Sequence, residues 1–370
     1  MVDYYILSLR KKSFAPAQCC LIEFEDVLVE CCQATLIAPD FSDGKFWVKK
    51  KFIEKFVHIT KIDLPKPASN SHKQVLIVVA LSIWNCDLLN YMPKKWRERF
   101  DVVVTYIFDA ILPKYNDAMQ SKIAHSKLGK NVKLMDFFFI PMTGSIQSYT
   151  ELFQIPVALI PMAADVSKFG SNNHNRWIDV MGYGRQFEPH SKILENTYNN
   201  LESHRTYYHT NHISIEKINN FYEHRRLFWK LLNNSHITLA YDVLTTPSDR
   251  FFFSFVGQRW FECLAAGCMI IGRRPVCPEV NDLLNWEDAT IEVPDDSNSL
   301  IPFVEDLLND KERLQSVQNR NYLNALGRHD WRYRIADMLN HLGLKQPIPL
   351  QRSLASLQEK YETVKKSLNY

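Results

Sequence analysis

An α/β chain of two doubly wound domains is what the sequence predicts, and three observations predict it. The chain has 370 residues, too many for one ordinary core and suited to two domains. Short apolar runs alternate with helical periodicity along most of its length, the pattern of βαβ units. The run Val75–Ala80, VLIVVA, is uninterrupted by polar residues, as expected of a parallel strand covered on both faces.

The elements follow in order. Tyr4–Leu9 and Ala34–Ala38 read as strands on either side of a helix at Gln18–Cys32. Val75–Ala80, Asp101–Tyr106 and Lys133–Ile140 continue the series, with a helical segment around Pro93–Phe100. The turn-rich stretch Ile155–Asn175 reads as the crossing between domains. Beyond it Trp177–Gly182, Ile237–Tyr241, Cys268–Ile271 and Thr290–Val293 read as strands. Ser191–Ser203, Lys217–Asn234, Asn298–Leu308 and Lys311–Leu326 read as helices. The expected division is 1–155, 156–345 and a last helical segment, 346–370, packing back toward the first domain. Such domains bind ligands outside the carboxyl ends of their strands, so a cleft between two facing sheets is the expected site.

Composition excludes several classes. A net charge of +3 is too small for a dominant nucleic-acid role. Charged residues at 23% and aromatics at 12% argue against disorder. No apolar run reaches the roughly 18 residues of a membrane span, and MVDYYILSLRKK lacks the basic start of a secretory signal, so a cytoplasmic location is expected. The eight cysteines show no CxxC pair and no zinc spacing, which fits buried thiols in a reducing compartment. His204, His209 and His212 cluster, but without Cys or carboxylates at ligand spacing, and read as a polar loop. Lys49-Lys50-Lys51 and Lys94-Lys95-Trp96-Arg97 could give weak contact with an anionic membrane or acidic acceptor, though a solvated face explains them as well.

Three motifs carry chemistry. In GQRWFECLAAG, Phe261, Leu264 and Ala265 form the core-facing stripe of a helix, and Glu262 lies one residue off it. A carboxylate there can accept two hydrogen bonds from a ribose diol; a solvated first-turn Glu is the bland alternative. At the helix entry, Gly257 would permit close backbone approach, and the first-turn amides of Gly257, Gln258 and Arg259 could meet phosphate oxygens. Gly182-Tyr183-Gly184-Arg185 follows the first strand of the second domain, where two glycines let backbone press on a ligand and Arg185 could reach a diphosphate; a plain tight turn is the alternative. There is no GxGxxG and no P-loop. In the first domain, Asp109 ends a strand and is the candidate base, or else a helix cap.

Arg259–Glu279, the IPMAAD segment at Ile160–Asp165, the IDVMGYGR strand-turn and RHDWRYR at Arg328–Arg334 together resemble a GT-B glycosyltransferase of the group-one branch. Within that branch they are similar to the CgeB-like proteins, whose helix reads R-x-F-E-A-L-A-x-G. Arg259, Phe261, Glu262, Leu264, Ala265 and Gly267 match it, and His329 and Arg334 match the late segment. The resemblance covers roughly residues 156–339; over the first domain it is architectural only.

The resemblance implies a hexosyltransferase-like enzyme that takes a nucleotide-sugar donor and a small-molecule, glycan, lipid or protein acceptor. Glu262 would bind the ribose, and Tyr183, Gly184, Arg185 and Gly257–Arg259 the diphosphate. Related enzymes often carry a second Glu eight positions before the first, and here Ser254 stands in its place. Glu279 fits a recurring Pro-Glu, or is simply a Glu at a helix start. Arg185 would stabilise the leaving diphosphate and Asp109 would serve an inverting reaction, with no metal and no cofactor. A nucleotide-sugar epimerase and a non-catalytic nucleotide-sugar module remain as alternatives.

Overall fold

A computed structural model describes residues 1–10, 18–39, 62–112, 126–210, 220–245 and 251–368. The chain forms two compact units, Met1–Pro161 with Ile335–Leu350 and Met162–Arg334 with Gln351–Tyr370.

The first unit contains β1 (Val2–Leu7), α1 (Cys19–Cys32), β2 (Thr35–Ile37), β3 (Lys73–Ala80), β4 (Val102–Ile107), β5 (Phe137–Ile140), α2 (Ile146–Phe153) and β6 (Val157–Leu159). Its six strands pair in parallel in the order β2-β1-β3-β4-β5-β6. Val75–Ala80 are at most 2% exposed, which is why VLIVVA has no polar face. The sequence ends this domain at residue 155, but β6 pairs with β5, so the sheet takes the chain to residue 159. The Tyr106 hydroxyl then donates to the carbonyls of Ile160 (3.0 Å) and Pro161 (3.2 Å).

Two readings in this unit need correction. Of Lys133–Ile140 only Phe137–Ile140 is strand. Asp136 stops it short, because its carboxylate receives the Arg97 guanidinium on both oxygens at 2.8 Å and the Val103 amide at 2.7 Å. Around Pro93–Phe100 there is only a 3₁₀ turn, Trp96–Arg99, entered through Lys95 at φ 62°, a left-handed backbone that an α-helix cannot contain. The basic run there does not present its aromatic outward, since Trp96 is buried and Arg97 is spent on Asp136. Lys49–Lys51 lie outside the described residues.

The second unit contains α3 (Val166–Phe169), β7 (Ile178–Gly182), α4 (Glu188–Tyr198), β8 (Tyr207–His209), α5 (Phe221–Asn233), β9 (Ser235–Tyr241), α6 (Gln258–Ala265), β10 (Met269–Arg273), β11 (Ile291–Glu292), α7 (Leu300–Asn309) and α8 (Lys311–Arg328). Its five strands are again parallel, in the order β11-β10-β9-β7-β8. On one face, Val180, Tyr207, Ile237, Leu239, Met269 and Ile271 pack on Leu194 of α4, Leu307 of α7 and Val317 of α8. The His-rich loop holds an unforeseen edge strand, β8, whose Tyr207 pairs with Val180. His209 stacks on Tyr207 and lies 3.6 Å from Glu195; His212 is outside the described residues. Among the described residues, no three His, Cys, Asp or Glu are grouped as metal ligands would be.

Two further helices, α9 (Trp331–His341) and α10 (Ile348–Ser367), complete the chain. The sequence sends 346–370 to the first domain. Instead 335–350 belongs to the first unit and 351–370 to the second, where Lys360 lies over the Tyr322 ring of α8 and Tyr361 packs against Gly327. All eight cysteines are thiols, and burial pushes Cys32, Cys86 and Cys263 up to about 12, so they are unreactive near neutrality. Among the described residues no helix is long and apolar enough to cross a membrane.

Candidate functional site

In the second sheet β8 and β9 flank β7 on opposite sides, so the strand order reverses between β7 and β9. A crevice opens at such a point, outside the strand carboxyl ends. β7 leads there into Tyr183-Gly184-Arg185, β9 leads into Asp242, and α6 starts there.

Helix α6 is fixed on all sides. Trp260, Phe261, Cys263, Leu264 and Ala265 are at most 2% exposed. Trp260 Nε1 donates to Thr290 Oγ1 at 3.0 Å, and Phe261 meets the His329 ring edge-on, with centroids 5.3 Å apart. The helix ends in a Schellman motif: Gly267 N–H bonds Leu264 O at 2.9 Å and Cys268 N–H bonds Cys263 O at 3.0 Å. Gly267 has φ +62°, and a Cβ there would sit 2.8 Å from Ser171 O, so the position requires glycine. Arg176 donates to the Ala266 carbonyl at 2.8 Å and to Ser235 O at 2.7 Å, a cation at the negative end of the helix.

The other end is open by comparison. Gly257 is the N-cap, and among the described residues no side-chain cap is made at the first turn. Its φ of −79° suits any residue and a Cβ would meet no described protein atom closer than 3.7 Å, so protein packing does not by itself require glycine here. Gln258 Nε2 donates to Ala163 O at 2.8 Å. Arg259 is half-buried, with its guanidinium 5.3 Å from the Tyr183 ring centroid, and among the described residues no carboxylate lies within ion-pair distance of it. Gly184, at φ +62°, lies directly against it: a Cβ on Gly184 would be 3.0 Å from Arg259 Nη2.

Glu262, one turn along, is 5% exposed. Its Oε1 accepts from Arg225 Nη2 at 2.7 Å, and its Oε2 from the Tyr183 hydroxyl at 3.2 Å. It is thus neither a solvated surface Glu nor an isolated one. Burial first, then Cys263 and Glu262, holds the Tyr183 hydroxyl well above the ordinary tyrosine range, so it stays a donor. Arg225 comes from α5, with its guanidinium 4.3 Å from the Phe228 ring and 5.4 Å from Trp229. Sequence reasoning missed Arg225, although the signal was present: the buried positions of α5 are Phe221, Arg225, Trp229 and Leu232, an apolar stripe with one cation in it.

Tyr183, Gly184, Gln258, Arg259 and Glu262 therefore gather around one helix. Ser254 is buried nearby but committed locally. It donates to Asp242 Oδ2 at 2.6 Å and accepts from the Val276 amide at 2.8 Å, which ties the loop before α6 to the ends of β9 and β10. Arg185 stacks over Phe251 at 4.0 Å. Glu279 is buried at the start of the helical turn Val280–Leu283. Asp109 is half-buried in the first unit, two residues beyond β4, with its amide on Leu81 O at 2.6 Å.

The late segment supports α6 from behind. His329 is 1% exposed, with Nε2 3.0 Å from Leu283 O and Nδ1 3.1 Å from Arg334 Nη2. Arginine can only donate, so Nδ1 accepts and Nε2 carries the proton. Burial, with Arg334 and Arg328 adding to it, holds His329 well below its usual 6.5. The unfolded chain therefore binds a proton below about 6.5 that the folded chain refuses, and stability is full above that pH and lost as pH falls. In urea unfolding between pH 6.5 and 5, His329→Gln is expected to flatten the decline by up to about 1.4 kcal/mol per pH unit. An unchanged slope would show that the ring is charged in the fold.

Comparison with known proteins agrees with this architecture. Residues 173–340 match a family model described as glycosyl transferase-like. The two parallel Rossmann-like sheets are those of the GT-B glycosyltransferase fold. The structure of Anabaena HepE in complex with UDP-glucose superposes with a TM-score of 0.52 at 10% identity, over 93% of this chain and all of that one. A glycosyltransferase from Rickettsia africae gives 0.47 at 13% identity, over 91% and 97% of the two chains. No curated protein matches the chain.

Proposed function

We propose that the protein is a glycosyltransferase, moving a hexose from a nucleotide-sugar donor to an acceptor, and that 162–334 is its donor side. The observation that carries this is the meeting of Gly184, Arg259 and Glu262 around the uncapped start of α6, at the strand-order reversal. The α6 amides from Gly257 to Arg259, the Gly184 backbone and the Arg259 and Arg185 guanidiniums would hold the diphosphate and stabilise the charge that develops as it leaves. Glu262 would accept from the ribose diol, with Tyr183 and Gln258 shaping the rim of the site. Ser254 would act by holding the loop before α6. Asp109 is the proposed base for an acceptor hydroxyl, and no metal or cofactor is part of the scheme. The fold shared with a UDP-glucose complex makes UDP-glucose the first donor to try.

The test is a thermal-shift screen of UDP, GDP and TDP sugars, followed by donor turnover. A ligand at 100 times its Kd should stabilise by about 2.7 kcal/mol. Glu262→Gln keeps the shape of the side chain but loses charge-assisted bonds worth about 1.5–3 kcal/mol, so donor affinity should fall about 10- to 150-fold. A flat screen across all donors would overturn the reading. Binding without hydrolysis or transfer would leave a nucleotide-sugar module instead of an enzyme, and conversion of the donor without acceptor would indicate an epimerase.

A further inference from the structure

We infer that Arg225 is a positioning residue for nucleotide recognition: it holds the Glu262 carboxylate oriented so that its two remaining acceptor sites face the ribose diol. This rests on the donor reading above.

The geometry makes the case by counting. An ionised carboxylate has about four lone-pair sites. Among the described residues Oε1 has one donor, Arg225 Nη2 at 2.7 Å, and Oε2 has one, the Tyr183 hydroxyl at 3.2 Å. With no further donor among the described residues, one site is left on each oxygen, which matches what two adjacent ribose hydroxyls can donate. The alternative is that Arg225 leaves when a nucleotide arrives. Breaking a buried ion pair by withdrawing one partner is strongly unfavourable, and both side chains are buried, at 7% and 6% exposure. Arg225 is also held independently of Glu262, against the rings of Phe228 and Trp229 on its own helix. Tyr183 packs edge-on against Phe228, with centroids 5.0 Å apart, so both donors to Glu262 rest on one aromatic support. A carboxylate this deep without its partner would turn toward water or toward other donors, and so lose the paired orientation of its acceptors.

The experiment compares the binding of UDP and 2′-deoxy-UDP, with GDP and 2′-deoxy-GDP as a second matched pair, to wild type, Arg225→Met and Arg225→Lys. Wild type is expected to prefer the ribonucleotide about 10-fold or more, the value of one charge-assisted hydrogen bond. Arg225→Met should bring the preference to within about 2-fold, and Arg225→Lys, which keeps charge but not the stacked planar fork, should recover part of it. If Arg225→Met does not fold, Arg225→Lys carries the test, with an expected loss of preference of about 3-fold or more. In a Glu262→Gln background, Arg225→Lys should change the preference no further, since the effect acts through the carboxylate. A variant that melts early yet keeps the full ribose preference would show Arg225 to be packing only, and would overturn the inference while leaving the donor reading intact. A wild type that binds nucleotide without ribose preference would also overturn it, and a wild type that binds no nucleotide would remove the donor reading with it.

Discussion

Gly272→Ala is expected to lower stability by about 4 kcal/mol or more, beyond the range of ordinary substitutions. Gly272 sits in β10 at φ +149°, a conformation that side chains rarely adopt. A Cβ there would overlap the carbonyl oxygen of Ala240 and lie 2.7 Å from its carbonyl carbon. The obstacle is backbone, so no rotamer change relieves it. Gly272 and Ala240 are register partners between β10 and β9, and Gly272 O accepts from Val293 N at 3.0 Å on the other side. Relief would mean moving β9 and loosening the β9–β10–β11 ladder. Asp242 and the α6 entry, anchored at those strand ends, would move with it. For a domain of 150–250 residues, about 4 kcal/mol corresponds to a loss of roughly 8–16 °C in Tm. Calorimetry of the purified variant reads it directly, and a shift under about 2 °C, worth no more than about 1 kcal/mol, would show that the strand pair yields cheaply.

The sequence betrayed most of the two sheets but not that glycine's role. Apolar runs such as Val75–Ala80 announce buried parallel strands because burial on both faces leaves no room for a polar residue. Short edge strands announce little. Tyr207–His209 and Val157–Leu159 are three residues each, set by pairing with β7 and β5 and not by their own composition. The candidate site shows the same split. The Glu262 helix and Gly184 after β7 were legible because a carboxylate near a buried stripe and a left-handed turn leave local marks. The partner of Glu262 was not, because Arg225 lies 37 residues away on another helix and only the packing of α5 brings them together. In the sequence Ser254 reads as a donor-side position that holds the place of a Glu in related enzymes. Its hydrogen bonds to Asp242 and Val276 show it as a brace, a relation carried by three separate segments.

Arg332→Leu should be the second severe lesion, costing about 3–5 kcal/mol at neutral pH. Arg332 is 3% exposed, and its Nη1 donates to Asp165 Oδ1 at 2.9 Å and Asp330 Oδ1 at 3.0 Å. One cation thus serves two carboxylates that are themselves 3% and 0% exposed. Asp165 also caps α3 through Lys168 N, and Asp330 accepts from Ser167 N at 3.1 Å, so the pair joins the start of this unit to its late segment. The link is reinforced by Ala164 N to His329 O and Trp331 N to Ala164 O, both 3.1 Å. Burial already raises Asp330 above its ordinary value, and Arg332 is the largest influence pulling it down. Without the arginine, the folded state would bind a proton at Asp330 that the unfolded state releases. Stability of the variant should therefore fall as pH rises above the ordinary carboxylate range, and recover as pH is lowered from 7 toward 5. That slope is opposite in sign to the one His329 imposes, so the two contributions separate in a pH series of urea titrations. Asp330→Asn in the Arg332→Leu background should return part of the loss at pH 7, because one uncompensated charge is gone. A variant whose deficit is the same at pH 5 and pH 7, and which Asp330→Asn does not improve, would mean that Arg332 contributes through packing and not through its charge.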